Sequence, residues 1–276
     1  MRRPRHLTER NARVFEDPEV VSCYHHRPPY PEELIDLLAN LVDPSSSRVL
    51  ELGCGLGEVA RRLASRVQEV VAADPSRAMI EAARTLPGAD RVRWIRSRTE
   101  DLEAEPGLGL IVTAESLHWM DWDKTFALAR AALSRQGRFA IITSRKVYQV
   151  PWGDALRELA HLHSTLQGFE AYDLIGTLVD GGLLELEEQR RAGPAPFRQS
   201  VADYLASWHS RSSLSRARMG ADSADRFDRA VAALVEPHAR EGMLEYEVVA
   251  TVAWGRVSRV DSDRRAVRSP GRTPSP

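Results

Sequence analysis

The residues best suited to chemistry lie between positions 49 and 74. Val49-Leu50-Glu51-Leu52-Gly53-Cys54-Gly55-Leu56-Gly57 runs from an apolar stretch into three alternating glycines. Gly53, Gly55 and Gly57 permit a tight turn and a close ligand approach to the backbone, both of which a Cβ would obstruct. The free N–H groups of a helix that starts there favour electron-rich ligand oxygens. Asp74 stands seventeen residues after Gly57, at the end of the next apolar stretch. A carboxylate at that point accepts hydrogen bonds from the ribose hydroxyls of a nucleoside. Loop, acid and strand–helix alternation together point to an adenosine-containing cofactor, where a glycine loop alone would be weak evidence.

Gly55-x-Gly57-x-x-Ala60 also fits a dinucleotide fingerprint, so an NAD-dependent oxidoreductase is one alternative. Glu51 argues against it. A carboxylate just before the loop repels a pyrophosphate and suits the cationic methionyl portion of S-adenosylmethionine. Transfer from a sulfonium is an in-line displacement, so the protein's main task is to hold nucleophile and methyl about 3 Å apart. A base is needed only if the nucleophile must lose a proton early. His118, beside Trp119 and Trp122 after the fourth apolar stretch, is the candidate catalytic residue. The competing reading has it shape its loop by packing and backbone bonding. Trp208-His209-Ser210-Arg211 either faces substrate or ends a helix at the surface. No metal site is expected. His161 and His163 diverge on a helix, and His25, His26 and His209 lack partners at ligand spacing.

These residues need a scaffold that brings strand ends to one edge. Pro31 suits a first helical position, and Leu34, Leu37, Leu38 and Leu41 follow at helical spacing over 31–42. Strands are expected at 48–53, 69–73, 91–95, 108–114 and 137–143, with helices at 57–66, 76–84 and 124–133 between them. Such alternation implies a parallel sheet whose ligand edge is at the strand C-termini. Residues 152–167, 199–209 and 222–239 read as helices, 183–187 as a strand after Gly181-Gly182, and 245–254 as a longer strand. The fold class is therefore α/β, a Rossmann-like, mostly parallel seven-stranded sheet with helices on both faces and an inserted helical cap. Residues 1–146 form the core, completed by strands near 183–194 and 243–256, one of them antiparallel. Helical insertions at 147–182 and 195–242 form the cap, and 257–276 is a disordered tail.

Composition excludes several classes. With 38 basic and 39 acidic residues the 276-residue chain has a net charge of -1, so a nucleic-acid partner is not expected. No stretch reaches the roughly 20 apolar residues of a membrane span. Two cysteines give no disulfide framework, and no secretory signal is visible, so a cytoplasmic protein with a small-molecule substrate is expected. Lysine stands only at 124 and 146, the usage of a GC-rich bacterial genome.

Glu51–Gly57 with Asp74-Pro75-Ser76-Arg77-Ala78-Met79-Ile80 resembles the first two motifs of class I S-adenosylmethionine-dependent methyltransferases. Ser116-Leu117-His118-Trp119-Met120-Asp121 and Arg27-Pro28-Pro29-Tyr30-Pro31 resemble a small-molecule subgroup that includes trans-aconitate methyltransferase relatives. The resemblance covers roughly residues 10–146. It implies that Glu51, Gly53, Gly55 and Gly57 line the methionyl and ribose portions of the cofactor. Asp74 would bind the ribose, with Met79, Glu100 and Asp101 near the adenine. Arg98 stands where an acid is frequent, which leaves the adenine-amine contact to Glu100, Asp101 or a backbone carbonyl. Tyr24 and Arg27 would close over the cofactor, and Tyr30, Trp119 and Trp122 would face substrate. The implied activity is methyl transfer to an O, N or C atom of a small acceptor, with a biosynthetic acid or natural product favoured. A cofactor-retaining non-methylating enzyme or sensor on the same fold is the second alternative.

Overall fold

Five central strands set the architecture, three of them buried on both faces. The computed structural model describes residues 9–166 and 172–258. A short helix α1 (Glu9–Ala12), a 3-10 turn (Arg13–Glu16) and α2 (Pro18–Tyr24) precede α3 (Glu32–Leu41). The core then runs β1 (Arg48–Leu52), α4 (Glu58–Leu63), β2 (Glu69–Asp74), α5 (Arg77–Ala83), β3 (Val92–Arg96), β4 (Leu108–Ala114), α6 (Trp122–Ala132) and β5 (Leu133–Tyr148). Helices α7 (Gly153–Leu162) and α8 (Leu174–Asp180) lead to β6 (Leu184–Ser200). Helices α9 (Val201–His209), α10 (Arg216–Met219) and α11 (Ala221–Val235) precede β7 (Met243–Val257).

The seven strands form one sheet in the order β3-β2-β1-β4-β5-β7-β6. β1 to β5 are parallel, and β7 is antiparallel to both β5 and β6. Successive side chains of a strand go to opposite faces. Val49 thus joins a core with Leu34, Ile35 and Leu38 of α3 and Val59 and Leu63 of α4. Leu50 joins Phe126 and Ala129 of α6 and Leu178 of α8 on the other face. The reversal of order at β1 and β4 opens the crevice where open α/β sheets bind ligands.

The long ends of β6 and β7 carry a third core. Leu244, Tyr246 and Val248 pack there with Trp152, Leu156, Tyr204, Phe227 and Val231 from α7, α9 and α11. Residues expected in the cap at 195–200 belong to the sheet instead. β6 carries Gly193-Pro194 through a register shift between Ala192 and Ala195 and pairs on to Ser200. β5 likewise exceeds the expected 137–143 at both ends.

Other bounds differ for local reasons. Helix α6 starts two residues earlier than expected because Asp121 caps it, accepting from the Lys124 N–H at 3.1 Å. The expected helix 152–167 ends at Leu162, and 167 lies outside the described residues. Helix α11 stops at Val235, before a 3-10 turn containing Pro237. The segment before residue 20 holds α1, the 3-10 turn and the start of α2, with Asp17 accepting from the Glu19 N–H and Pro18 at the first helical position. The expected tail falls outside the described residues from 259 onward.

Candidate active site at the strand edge

The glycine loop is held by main-chain bonds from β2. The N–H groups of Gly53 and Cys54 both donate to the Ala73 carbonyl, at 2.8 and 3.1 Å. All three glycines have left-handed φ, between 54° and 66°. Two of them are also fixed by neighbours. A Cβ on Gly53 would lie 2.6 Å from the Ser116 Cβ, and one on Gly57 would overlap the Trp94 ring. Gly55 instead faces Tyr24, whose ring a Cβ would meet in ordinary contact at 3.8 Å.

A cavity of about 420 Å³ opens beside this loop. That volume lies within the range of small-molecule and cofactor sites. Gly53, Gly55, Asp74, Met79, Glu100, Trp119 and Tyr24 all line it, so seven of the expected residues converge. Asp74 is fixed by two backbone donors, Gly55 N–H at 2.8 Å and Ser76 N–H at 2.8 Å. Burial outweighs these two donors and raises its carboxyl to about 6. Glu100 accepts from the Asp121 N–H at 2.8 Å, which ties the end of β3 to the start of α6.

The remaining expected residues lie elsewhere. Gly57 caps α4 and faces Trp94, so packing and backbone conformation both require a glycine there. Glu51 turns beneath the loop, accepts from the Ala60 N–H at 2.8 Å, and lines a second cavity. Burial raises it to about 8, against the Ala60 donor and aided by the charges of Glu58 and Asp74. Asp101 is exposed and off the cavity wall, because its 3-10 turn directs Thr99 and Glu100 inward instead. Trp122 is buried, donates to the Leu117 carbonyl at 3.0 Å and packs in the lower core, so it does not face substrate.

His118 lines a separate cavity of about 430 Å³, with Thr143, Tyr172 and Gln189, and only Trp119 is shared with the cofactor-sized one. Arg27 and Tyr30 line the second cavity, of about 410 Å³, which shares Tyr24, Gly53 and Ala114 with the first. Arg27 stacks over the Tyr24 ring at 4.0 Å and donates to the Ser210 Oγ and carbonyl at 2.7 and 2.9 Å. Tyr30 is buried, and its hydroxyl donates to Glu115 at 3.1 Å. Burial, reinforced by Glu115, raises the Tyr30 phenol well above its usual range.

Several site residues have no counterpart among the expected ones. Ala12, Arg13, Phe15 and Glu16 wall the first cavity from the N-terminal segment. The Asp17-Pro18 helix start, with Val20 and Val21 behind it, was the available sequence sign of a folded lid. Glu115 lines the same cavity with φ 52°, a conformation uncommon for a non-glycine residue. Arg145, on the extended part of β5, bonds Glu58 at 2.7 Å and approaches Glu115 at 3.8 Å. Burial opposes its charge, yet Tyr30, Glu58 and Glu115 hold it above the usual guanidine range. Trp208-His209-Ser210-Arg211 is no surface helix end. His209 and Ser210 are buried, with the His209 ring between the Leu214 carbonyl and Asp228, each at 2.7 Å.

A Rossmann-like sheet with a glycine loop after β1, a fixed acid after β2 and a cofactor-sized cavity between them defines a nucleoside-binding α/β protein. Residues 49–137 match the methyltransferase domain family. A solved structure from Anaeromyxobacter dehalogenans, named after the type II methyltransferases, superposes with a TM-score of 0.59 at 23% identity, over 83% of this chain and 97% of that one. An S-adenosylmethionine-dependent methyltransferase from Thiobacillus denitrificans, in complex with S-adenosyl-L-homocysteine, gives 0.51 at 16% identity over 86% and 96%. These two likenesses concern the fold. Among curated sequences, a "Probable S-adenosylmethionine-dependent methyltransferase" of Saccharomyces cerevisiae is 27% identical over 41% of this chain and 41% of its own length. The trans-aconitate 2-methyltransferase of Mycobacterium ulcerans is 28% identical over 45% and 47%. The likeness to S-adenosylmethionine-dependent methyltransferases is thus carried by the part of the chain that holds the glycine loop, Asp74 and β1 to β4. The chain spans about half the length of the curated relatives it matches. No helix among the described residues is long and apolar enough to cross a membrane.

Proposed function

We propose that this protein transfers the methyl group of S-adenosylmethionine to an O, N or C atom of a small acceptor. The observation that carries this reading is the cavity at the strand edge, walled by Gly53, Gly55 and the doubly anchored Asp74. The cradle fits a nucleoside-bearing cofactor, because Gly55 leaves the backbone bare and Asp74 is fixed at the cavity wall. Asp74 would take the ribose, Met79 and Glu100 the adenine end, and Tyr24 the cover over the loop. S-adenosylmethionine supplies an already activated methyl group, so the chain's own residues are left to orient the acceptor and exclude water.

The acceptor belongs on the side of the second cavity, which adjoins the first at Gly53 and Ala114 and carries Tyr30 and Arg145. His118 shapes the opposite side of Trp119 and takes no part in proton transfer in this reading. The helices between β5 and β6 and between β6 and β7 form the substrate cap. Calorimetric titration with S-adenosylmethionine, S-adenosylhomocysteine and NAD, repeated on Asp74→Ala, tests the proposal. Micromolar binding of the first two, weakened at least tenfold by the substitution, is expected. Binding of NAD alone would overturn it.

A further inference from the structure

β6 ends the sheet and pairs with β7 alone, so its other side is an open edge. Glu185 to Arg191 form seven successive exposed positions between buried Leu184 and Ala192. Leu186 among them is 42% exposed, one of the few large apolar side chains left to water among the described residues. Register shifts at Leu186/Glu188 and at Ala192/Ala195 bracket a regular stretch from Glu188 to Ala192. Beyond it the Gly193 N–H donates to Glu33 of α3 at 2.7 Å, which covers the edge there. A regular, uncovered edge is a template for another strand, and proteins blunt such edges with charge, proline or bulges.

The charge on this edge is of a kind that attracts a second copy. Glu185, Glu187 and Glu188 precede Gln189, and Arg190 and Arg191 follow it. That order matches itself when two strands run antiparallel, whereas a parallel pair in register sets like against like. A two-fold axis normal to the sheet places the central residue opposite its own copy. Glu187, Glu188, Arg190 or Arg191 at that point would face its own sign, and Leu186 there would set Glu185 against Glu187. Gln189 is the uncharged centre with opposite charges on its two sides. Centred there, Glu188 lies opposite the partner's Arg190, and Arg190 opposite the partner's Glu188. Within one chain these two side chains already pair along the strand at 2.7 Å, each about half exposed, a contact of little weight by itself. Dimerisation joins both pairs into a square of four charges in which every neighbour is of opposite sign. Glu187 stays with Arg138 and Arg256 of its own chain.

We infer that two copies of this chain pair through their β6 edges, antiparallel about Gln189, into one sheet continuous across both. The interface is isologous, and its recognition lies in Glu188 and Arg190. Gln189 also lines the cavity that holds His118 and Thr143, so the partner strand passes beside that cavity's wall. The inference does not depend on the methyltransferase reading, because no residue of this edge lines the cofactor-sized cavity.

Sedimentation velocity of the full chain from about 1 to about 200 μM is the test, since a single strand edge buries little area and implies a micromolar dimer. Wild type, Arg190→Glu, Glu188→Arg and the double variant that exchanges the two residues are compared, with melting temperatures to confirm folding. Wild type should dimerise within that range. Each single substitution sets like charges opposite and should weaken the dimer by about tenfold or more. The double variant restores both pairs and should dimerise within about threefold of wild type. An equimolar mixture of the two single variants should form a heterodimer, because one edge is then wholly acidic at these positions and the other wholly basic. A wild type that stays monomeric at the highest concentration would overturn the inference. So would a dimer indifferent to the single substitutions, a double variant that stays monomeric, or a mixture that forms no heterodimer.

Discussion

Asp74 shows how one side chain is prepared for a ligand before the ligand arrives. Its two oxygens each take one backbone donor, which fixes the carboxylate plane and leaves lone pairs for further acceptance. Burial raises its carboxyl to about 6 in the free protein. The ionised form accepts from ribose hydroxyls and the protonated form has lost part of that capacity. Affinity for S-adenosylhomocysteine should therefore be flat above neutrality and fall as pH drops through about 6. Fluorescence or calorimetric titration across that range checks this, and an affinity that is level down to pH 5 would remove Asp74 from ribose binding. Asp74 and the glycines were legible in the sequence because their role follows from residue type beside a single turn. Glu115 and Arg145 were not, because they converge only when the end of β4 and the extension of β5 are folded together.

At the scale of elements, the junction of β1 and α4 is fixed by β3 from two strands away. Gly57 has φ 66°, and the space its side chain would fill is taken by Trp94. Trp94 is itself held by its Nε1–H bond to the Ala89 carbonyl at 2.9 Å. Gly57→Ala should lower unfolding free energy by about 2–4 kcal/mol, combining a left-handed Ala with overpacking. Replacing Trp94 by Leu in the same chain should recover part of the loss, since it relieves the overlap but leaves the backbone conformation. Urea denaturation of the three variants reads this directly, and a Gly57→Ala change under 0.5 kcal/mol would contradict the steric account. Element type was readable throughout the parallel half of the sheet, where apolar runs alternate with amphipathic helices. Element extent was not readable at the end of β6, expected near 194, because pairing to β7 carries the strand past Pro194 to Ser200.

Across the whole molecule the lid and the cap are one mechanical unit. Besides the two Arg27 bonds to Ser210, Asn11 accepts from Arg218 at 2.6 Å, and the His26 carbonyl accepts from Gln199 at 2.8 Å at the end of β6, just before the cap. Glu19 adds a loose ion pair with Arg216 at 3.7 Å, of little weight at an exposed site. Each direct hydrogen bond contributes about 1 kcal/mol net, so the set can transmit a change without dominating stability. The lid in turn packs on the cofactor side through Val21, Met79 and Leu56, with Phe15 and Tyr24 against them. A ligand under Tyr24 should therefore steady the turn after α9, although no contact of that turn with the glycine loop is required. With S-adenosylhomocysteine bound, amide exchange should slow at least about fivefold in both residues 12–27 and residues 207–219. Arg27→Ala should keep the slowing in the lid, lose it in the cap segment, and weaken the ligand by about tenfold, or about 1.4 kcal/mol. Exchange in 207–219 that ignores the ligand in wild type would mean that the cap and the cofactor site act separately. Matched slowing that persists in Arg27→Ala would shift the link to Gln199 and Arg218, and the same measurement on Arg218→Ala would then locate it.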